Sequence, residues 1–177
     1  MNKSLLIALV GIVLCQSCKQ KAAETEQAEP VQNSYRETAA NSIRSMETSV
    51  YEDTMTYRSQ LYGYRVERRA DLTLPKVKDE DGVSFSDNSI SLYVMREGKS
   101  VFRKTYTKEA LAAYIPSDFM KKGVLEGLVF YKTDASGMLF IASVCYPQTD
   151  LYAPVLITIS ADGGVKYAYA GGMNLDE

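Results

Sequence analysis

A chain of 177 residues, 46 % of them hydrophobic and 24 % charged, is long enough to bury one core of ordinary size. Twenty basic residues against 22 acidic ones leave a formal charge of −2, which excludes the basic footprint of a nucleic-acid binder. Histidine is absent, so the commonest general base and a common metal ligand are missing.

The first element is apolar. Met1, Asn2 and Lys3 precede an uncharged, almost wholly apolar run from Leu5 to Leu14. A membrane-spanning helix needs about 20 such residues, so the run reads as a signal-peptide core. Ser17 followed directly by Cys18 resembles a bacterial lipobox, with Cys15 standing where leucine is usual. The resemblance implies cleavage before Cys18, a diacylglyceryl group on its thiol and acylation of the new amino terminus. Cys15, the rival acceptor, would put bulky Leu14 before the cut. The expected organisation is a signal peptide over 1–17, a lipid anchor and polar tether over 18–52, and a β-rich domain over 53–177. No cofactor or metal is expected beyond the lipid on Cys18. Two or three acyl chains exceed the marginal hold of one, so the membrane is the first expected partner.

Processing also removes Lys3 and Cys15, leaving 19 basic and 22 acidic residues, a balance of −3 (19 − 22). Cys145 is left without an intramolecular partner, and a hydrophobic core rather than disulfides must hold the fold. In its apolar run it reads as a small buried hydrophobe.

Lys19–Ser34, "KQKAAETEQAEPVQNS", has no aromatic and too little apolar surface to offset its ordering entropy. As a coil its sixteen residues reach roughly 20–25 Å, enough to lift a small domain clear of headgroups. In Arg36–Tyr51, Ala39, Ile43, Met46 and Val50 would line one helical face, but the serines and threonines favour an extension of the tether.

From about Thr54 the pattern is that of strands. Thr54–Ala70 carries Tyr57, Tyr62, Tyr64 and Val66, and Ser89–Glu97 alternates Ile90, Leu92 and Val94 with Ser91, Tyr93 and Met95. Ser100–Thr107 follows a short turn at Gly98–Lys99 and suggests a hairpin. Lys108–Tyr114 is a short helical piece ended by Pro116, and a second turn is expected over Ser117–Lys122, with Ser117 as N-cap and Gly123 past the end. Val124–Thr133 and Met138–Tyr146 flank "DASG", and Val155–Ser160 and Val165–Ala170 flank "ADGG", giving two successive hairpins. The apolar run Leu139–Cys145 suggests a strand covered on both faces. The expected fold is a single, mainly antiparallel β-sandwich or partly open barrel of about six or seven strands with one short helix.

The succession "LPKVKDEDG", "DNSISLYV", "FRKTYTKEAL", "KKGVLEGLVFYK", "SVCYPQTDLYAPVLITIS" and a closing "DGG" strand resembles a family of small Bacteroides-type lipoproteins carrying a C-terminal domain of unknown function. The likeness spans roughly Thr54 to Asp176 and implies a lipoprotein with one domain. It implies no activity and no site. Because Lys19 follows Cys18, the aspartate that retains some lipoproteins at the inner membrane is missing, which points to the outer membrane. The first acid, Glu24, comes after Lys19 and Lys21, which favours the periplasmic face over the cell surface.

Three enzymatic readings were weighed. "SDN" at Ser86–Asn88 matches the second motif of serine-lysine hydrolases, but no S-x-x-K precedes it and no K-T-G follows, so Asp87 and Asn88 read as turn residues. Glu126 and Asp150 are the candidate carboxylates of a small hydrolase acting on an envelope polysaccharide, which needs two converging acids. "KDEDG" at Lys78–Gly82 has the composition of a calcium loop but lacks its alternate spacing and distal glutamate, and reads as solvated. A non-catalytic binding or structural module is the favoured class. Its candidate patch is Tyr57, Arg58, Tyr62, Tyr64 and Arg65, a tyrosine and arginine strand suited to a protein or glycan. The other reading of these residues packs Tyr62 and Tyr64 on the core and leaves the arginines as the solvent face.

Overall fold

The alternating and continuous apolar runs become strands in the computed structural model, which describes residues 35–36 and 42–172. The expected signal peptide, Cys18, the Lys19–Ser34 segment bar its end and Ala39 lie outside the described residues. In chain order the elements are β1 (Tyr35–Arg36), β2 (Ser45–Met46), β3 (Ser49–Tyr57), β4 (Gln60–Asp71), β5 (Val77–Lys78), β6 (Ser84–Phe85), β7 (Asp87–Arg96) and β8 (Lys99–Tyr106). A 3₁₀ segment at Glu109–Tyr114 and α1 (Ser117–Lys122) lead into β9 (Val124–Asp134), β10 (Gly137–Cys145), β11 (Tyr152–Ile159) and β12 (Val165–Tyr169).

Two four-stranded antiparallel sheets carry the domain, sheet I in the order β3-β4-β7-β8 and sheet II in the order β12-β11-β10-β9. Their inner faces share one core in which Tyr62, Leu92 and Val94 meet Phe140, Val144 and Ile157. Phe140 sits 5.5 Å from the Tyr64 ring and 5.6 Å from Phe130, in edge-on contacts. Neither seam between the sheets is closed by a backbone ladder. At one, Lys104 Nζ donates to Tyr167 Oη at 2.7 Å; at the other, Thr133 Oγ1 donates to Thr56 O at 3.0 Å. The fold is therefore mainly β and open rather than a closed barrel, as the sequence predicts.

The strand count exceeds the expected six or seven because Thr54–Ala70 is two strands. They are joined by a two-residue turn at Arg58 (φ 49°) and Ser59 (φ 61°). A hairpin turn of this kind needs positive φ at both central residues, and its usual signal is Asn-Gly or Asp-Gly. Arg-Ser hides it. The Arg36–Tyr51 expectation also changes: its described part is neither helix nor tether, since it holds β2 and the start of β3. Arg44 N donates to Ser84 O and Ser86 N to Arg44 O, and Met46 is 3 % exposed, so backbone pairing and burial override a weak helical pattern. Sheet I thus begins at Ser49, ahead of the expected boundary at 53.

Three bulges bend the sheets. The register places Val101 on β8 and both Glu126 and Tyr131 on β9 as extra residues opposite their partner strands. No helix among the described residues is long and apolar enough to cross a membrane.

Candidate functional site

β9 starts beneath the first residues of β7, and there the sandwich holds a buried polar cluster. Asp87 Oδ1 accepts from Leu125 N and Asn88 N, both at 2.8 Å, while Oδ2 lies 3.2 Å from Lys108 Nζ. Lys108 Nζ also donates to Gly123 O at 2.6 Å. Asn88 Nδ2 donates to Leu125 O at 2.9 Å and reaches Met46 Sδ at 3.3 Å. Asp87 and Asn88 are 2 % and 0 % exposed. They are not turn residues but the first residues of β7, kept buried because β9 backbone groups meet their side chains. The arrangement is a latch between β2, β7, β9 and the segment after β8.

Beside it, the bulge turns Glu126 into a buried position. Burial raises its carboxyl above the ordinary value, while a hydrogen bond from Cys145 and the charge of Arg68 pull it back. Arg68 faces inward on β4 and donates from Nη1 to Glu126 O at 2.8 Å. Burial first, then the Glu126 carboxylate, pushes the Cys145 thiol up to about 12, which leaves it protonated and a poor nucleophile at neutral pH.

An open groove lies at the same end, with a volume of about 610 Å³. One wall is the β5–β6 loop with Lys78, Glu80 and Asp81; the other is the β10–β11 connection from Tyr146 to Leu151, with Lys122 at the end of α1. Both walls are braced. Asp79 Oδ1 accepts from Val83 N at 2.8 Å, and Tyr146 N donates to Leu151 O at 2.9 Å. The Tyr146 ring stacks on Phe119 at 4.5 Å, and Gln148, held at φ 60°, accepts from Arg44 Nη1 at 2.8 Å. Among the described residues, Lys78, Lys122, Glu80 and Asp81 make no ion pair or side-chain hydrogen bond. The groove thus offers uncommitted charges of both signs above an apolar floor. The "KDEDG" loop forms one wall of it, and among the described residues no three acids or cysteines gather as metal ligands.

The five residues of the expected Tyr/Arg patch do not form one surface. Tyr57, Tyr62 and Tyr64 are 3 %, 1 % and 5 % exposed and belong to the core. Arg58 sits in the hairpin turn with its guanidinium over the Tyr57 ring at 5.2 Å. Arg65 lies on the opposite face of β4, paired with Glu52 and, at 3.3 Å, with Glu67. This division of inward tyrosines and outward arginines is the strand period of two at work. A smaller cavity of about 320 Å³ opens over Gly63 on that outer face, but its charged rim is already self-paired.

Glu126 and Asp150 share no cavity: Asp150 is exposed in the groove-side connection, and Glu126 lines neither cavity. Sequence reasoning missed both the latch and the groove. Lys108 carried a readable signal only as a lysine opening an alanine-rich turn, and nothing local shows that residues 78–81 and 146–151 meet.

A family model described as a domain of unknown function (DUF4738) matches residues 29–167. No curated protein matches the chain.

Proposed function

The chain belongs to the DUF4738 family of domains of unknown function, and from that premise we propose that it is a lipid-anchored, non-catalytic envelope module that binds a ligand in the end groove. One observation carries the reading. Charges on the outer face of sheet I neutralise each other, as in Arg65–Glu52 and Arg69–Glu67, whereas those of the groove are left open around the Tyr146 and Leu151 side chains. Braced loops, an apolar floor and a few convergent polar groups are what a preformed binding site requires.

The anchor is Cys18, the membrane is the outer membrane, and its periplasmic face is the favoured side. The partner in the groove is a protein or an envelope glycan, not nucleic acid. Titration of the protein with soluble peptidoglycan fragments and with envelope polysaccharide tests the site. Lys78→Glu combined with Lys122→Glu should weaken binding at least tenfold, and unchanged affinity refutes the groove as the site. Cys18→Ala should abolish incorporation of labelled fatty acid; undiminished labelling refutes the choice of cysteine.

The competing reading, a small carboxylate-dependent hydrolase, is favoured by the raised proton affinity of Glu126, the property a general acid needs. It requires turnover of an envelope polysaccharide that Glu126→Gln abolishes without unfolding the chain.

A further inference from the structure

We propose that the outer face of sheet II docks the domain onto an anionic lipid surface, the leaflet that holds its own anchor. The inference rests on the lipid-anchor reading above. It starts from the register. Directly paired residues of an antiparallel sheet share a face. The pairs Ile141↔Val129, Ile141↔Leu156 and Leu156↔Ala168 therefore lay an apolar row across all four strands, on the side away from the core. Val129 is 60 % exposed and Ala168 is exposed, so the row is open to solvent at both ends. The next row runs Lys132, Leu139, Thr158, Lys166, and puts both lysines on this face, one on each edge strand.

Sheet I gives the contrast. Its outer face carries Glu52, Arg65, Glu67 and Arg69 in mutual ion pairs. On sheet II the charges in the two rows are Lys132 and Lys166 alone, both exposed and neither in an ion pair among the described residues. The nearby Asp134 is occupied by its own turn, accepting from Ser136 N at 2.7 Å and Ser136 Oγ at 2.5 Å. An apolar strip with a cationic rim, in a chain of net charge −2, is complementary to anionic headgroups rather than to a general surface. The tether makes weak attraction sufficient. Sixteen residues of polar coil keep the sheet within roughly 20–25 Å of the leaflet, which turns docking into an intramolecular event.

The test uses the intact lipidated chain in vesicles of phosphatidylcholine alone or mixed with phosphatidylglycerol. A spin label is placed at Ala168→Cys and, as control, at Ser91→Cys on the outer face of sheet I. Accessibility to a water-soluble relaxation agent should fall severalfold at 168 on the anionic vesicles only, and stay high at 91 on both. Lys132→Glu with Lys166→Glu, or Val129→Glu, should restore it; all three sites are exposed, so unchanged circular dichroism checks the fold. If 168 stays as accessible as 91 on vesicles that carry the floating protein, docking is overturned while anchoring stands. If the chain floats with neither vesicle, the anchor reading fails and the proposal falls with it. Protection at 168 that persists without vesicles, in a chain that sediments as a dimer, assigns the face to a second copy and overturns the proposal.

Discussion

Asp87 and Lys108 form an ion pair that is 3 % and 5 % exposed, where charges are costly unless every lone pair and proton is matched. Here the backbone of β9 supplies the matching groups, so removing one partner leaves the other buried and uncompensated. Asp87→Asn or Lys108→Met alone should cost about 3–5 kcal/mol in urea unfolding, and the double variant should cost less than the sum of the two. Strict additivity would mean that the pair is not coupled. Glu126 behaves differently, because burial raises its carboxyl. A raised folded value means that the native state holds the proton more tightly than the unfolded one, so stability falls as pH rises from the ordinary carboxylate value of 4.5 through the raised value. Glu126→Gln should flatten that part of the stability profile. Equal slopes in wild type and variant would show the carboxyl to be unperturbed. Neither role was legible beforehand: "SDN" looked like a turn because nothing local reveals that Leu125 N meets Asp87, and Glu126 acquires its burial from a bulge.

At the scale of elements the sequence was more informative. Ile90, Leu92 and Val94 are all fully buried, as their alternation predicts, and Leu139 and Ile141 are buried on the outer side of β10, as the unbroken apolar run predicts. The later hairpins were readable because "DASG" and "ADGG" carry turn chemistry, whereas the Arg58–Ser59 turn lacks it. α1 falls where expected, with Pro116 rather than Ser117 as its N-cap. Gly123 does follow it, but for another reason than the left-handed conformation usual there: its φ is −95° and its ψ 159°. What it provides is space. A Cβ at 123 would lie 2.7 Å from Phe119 O and 2.7 Å from Val144 Cγ1, which closes α1 against β10. Gly63, in mid-strand on β4, has nothing within 4 Å of the same atom. Gly123→Ala should therefore destabilise by about 1–3 kcal/mol, while Gly63→Ala should be neutral or stabilise by up to about 1 kcal/mol. Thermal unfolding of the two variants separates close approach from backbone entropy, and similar losses in both would refute the distinction.

Where the whole domain begins depends on the same end of the molecule. Composition places the boundary at 53, because "NSIRSMETSV" is rich in serine and carries no strand alternation. The folded chain uses those residues nonetheless. Arg44 pairs through its backbone with Ser84 and Ser86, Ser86 Oγ donates to Ser45 Oγ at 3.0 Å, and Met46 fills the space above Asn88. β3, the outer strand of sheet I, starts at Ser49 and covers β4 along its length. The segment is thus a structural strap rather than tether, which agrees with a family match that begins at 29. A chain shortened to begin at 53 loses the strap, half of β3 and the Met46 contact with the Asp87–Asn88 latch. Truncation of a buried methionine alone costs about 2–5 kcal/mol, within reach of the whole stability of a small domain. The shortened chain should be largely unfolded or aggregated at 25 °C, whereas one beginning at 35 should unfold cooperatively at close to the full-length midpoint. Equal midpoints for the two would return residues 42–52 to the tether.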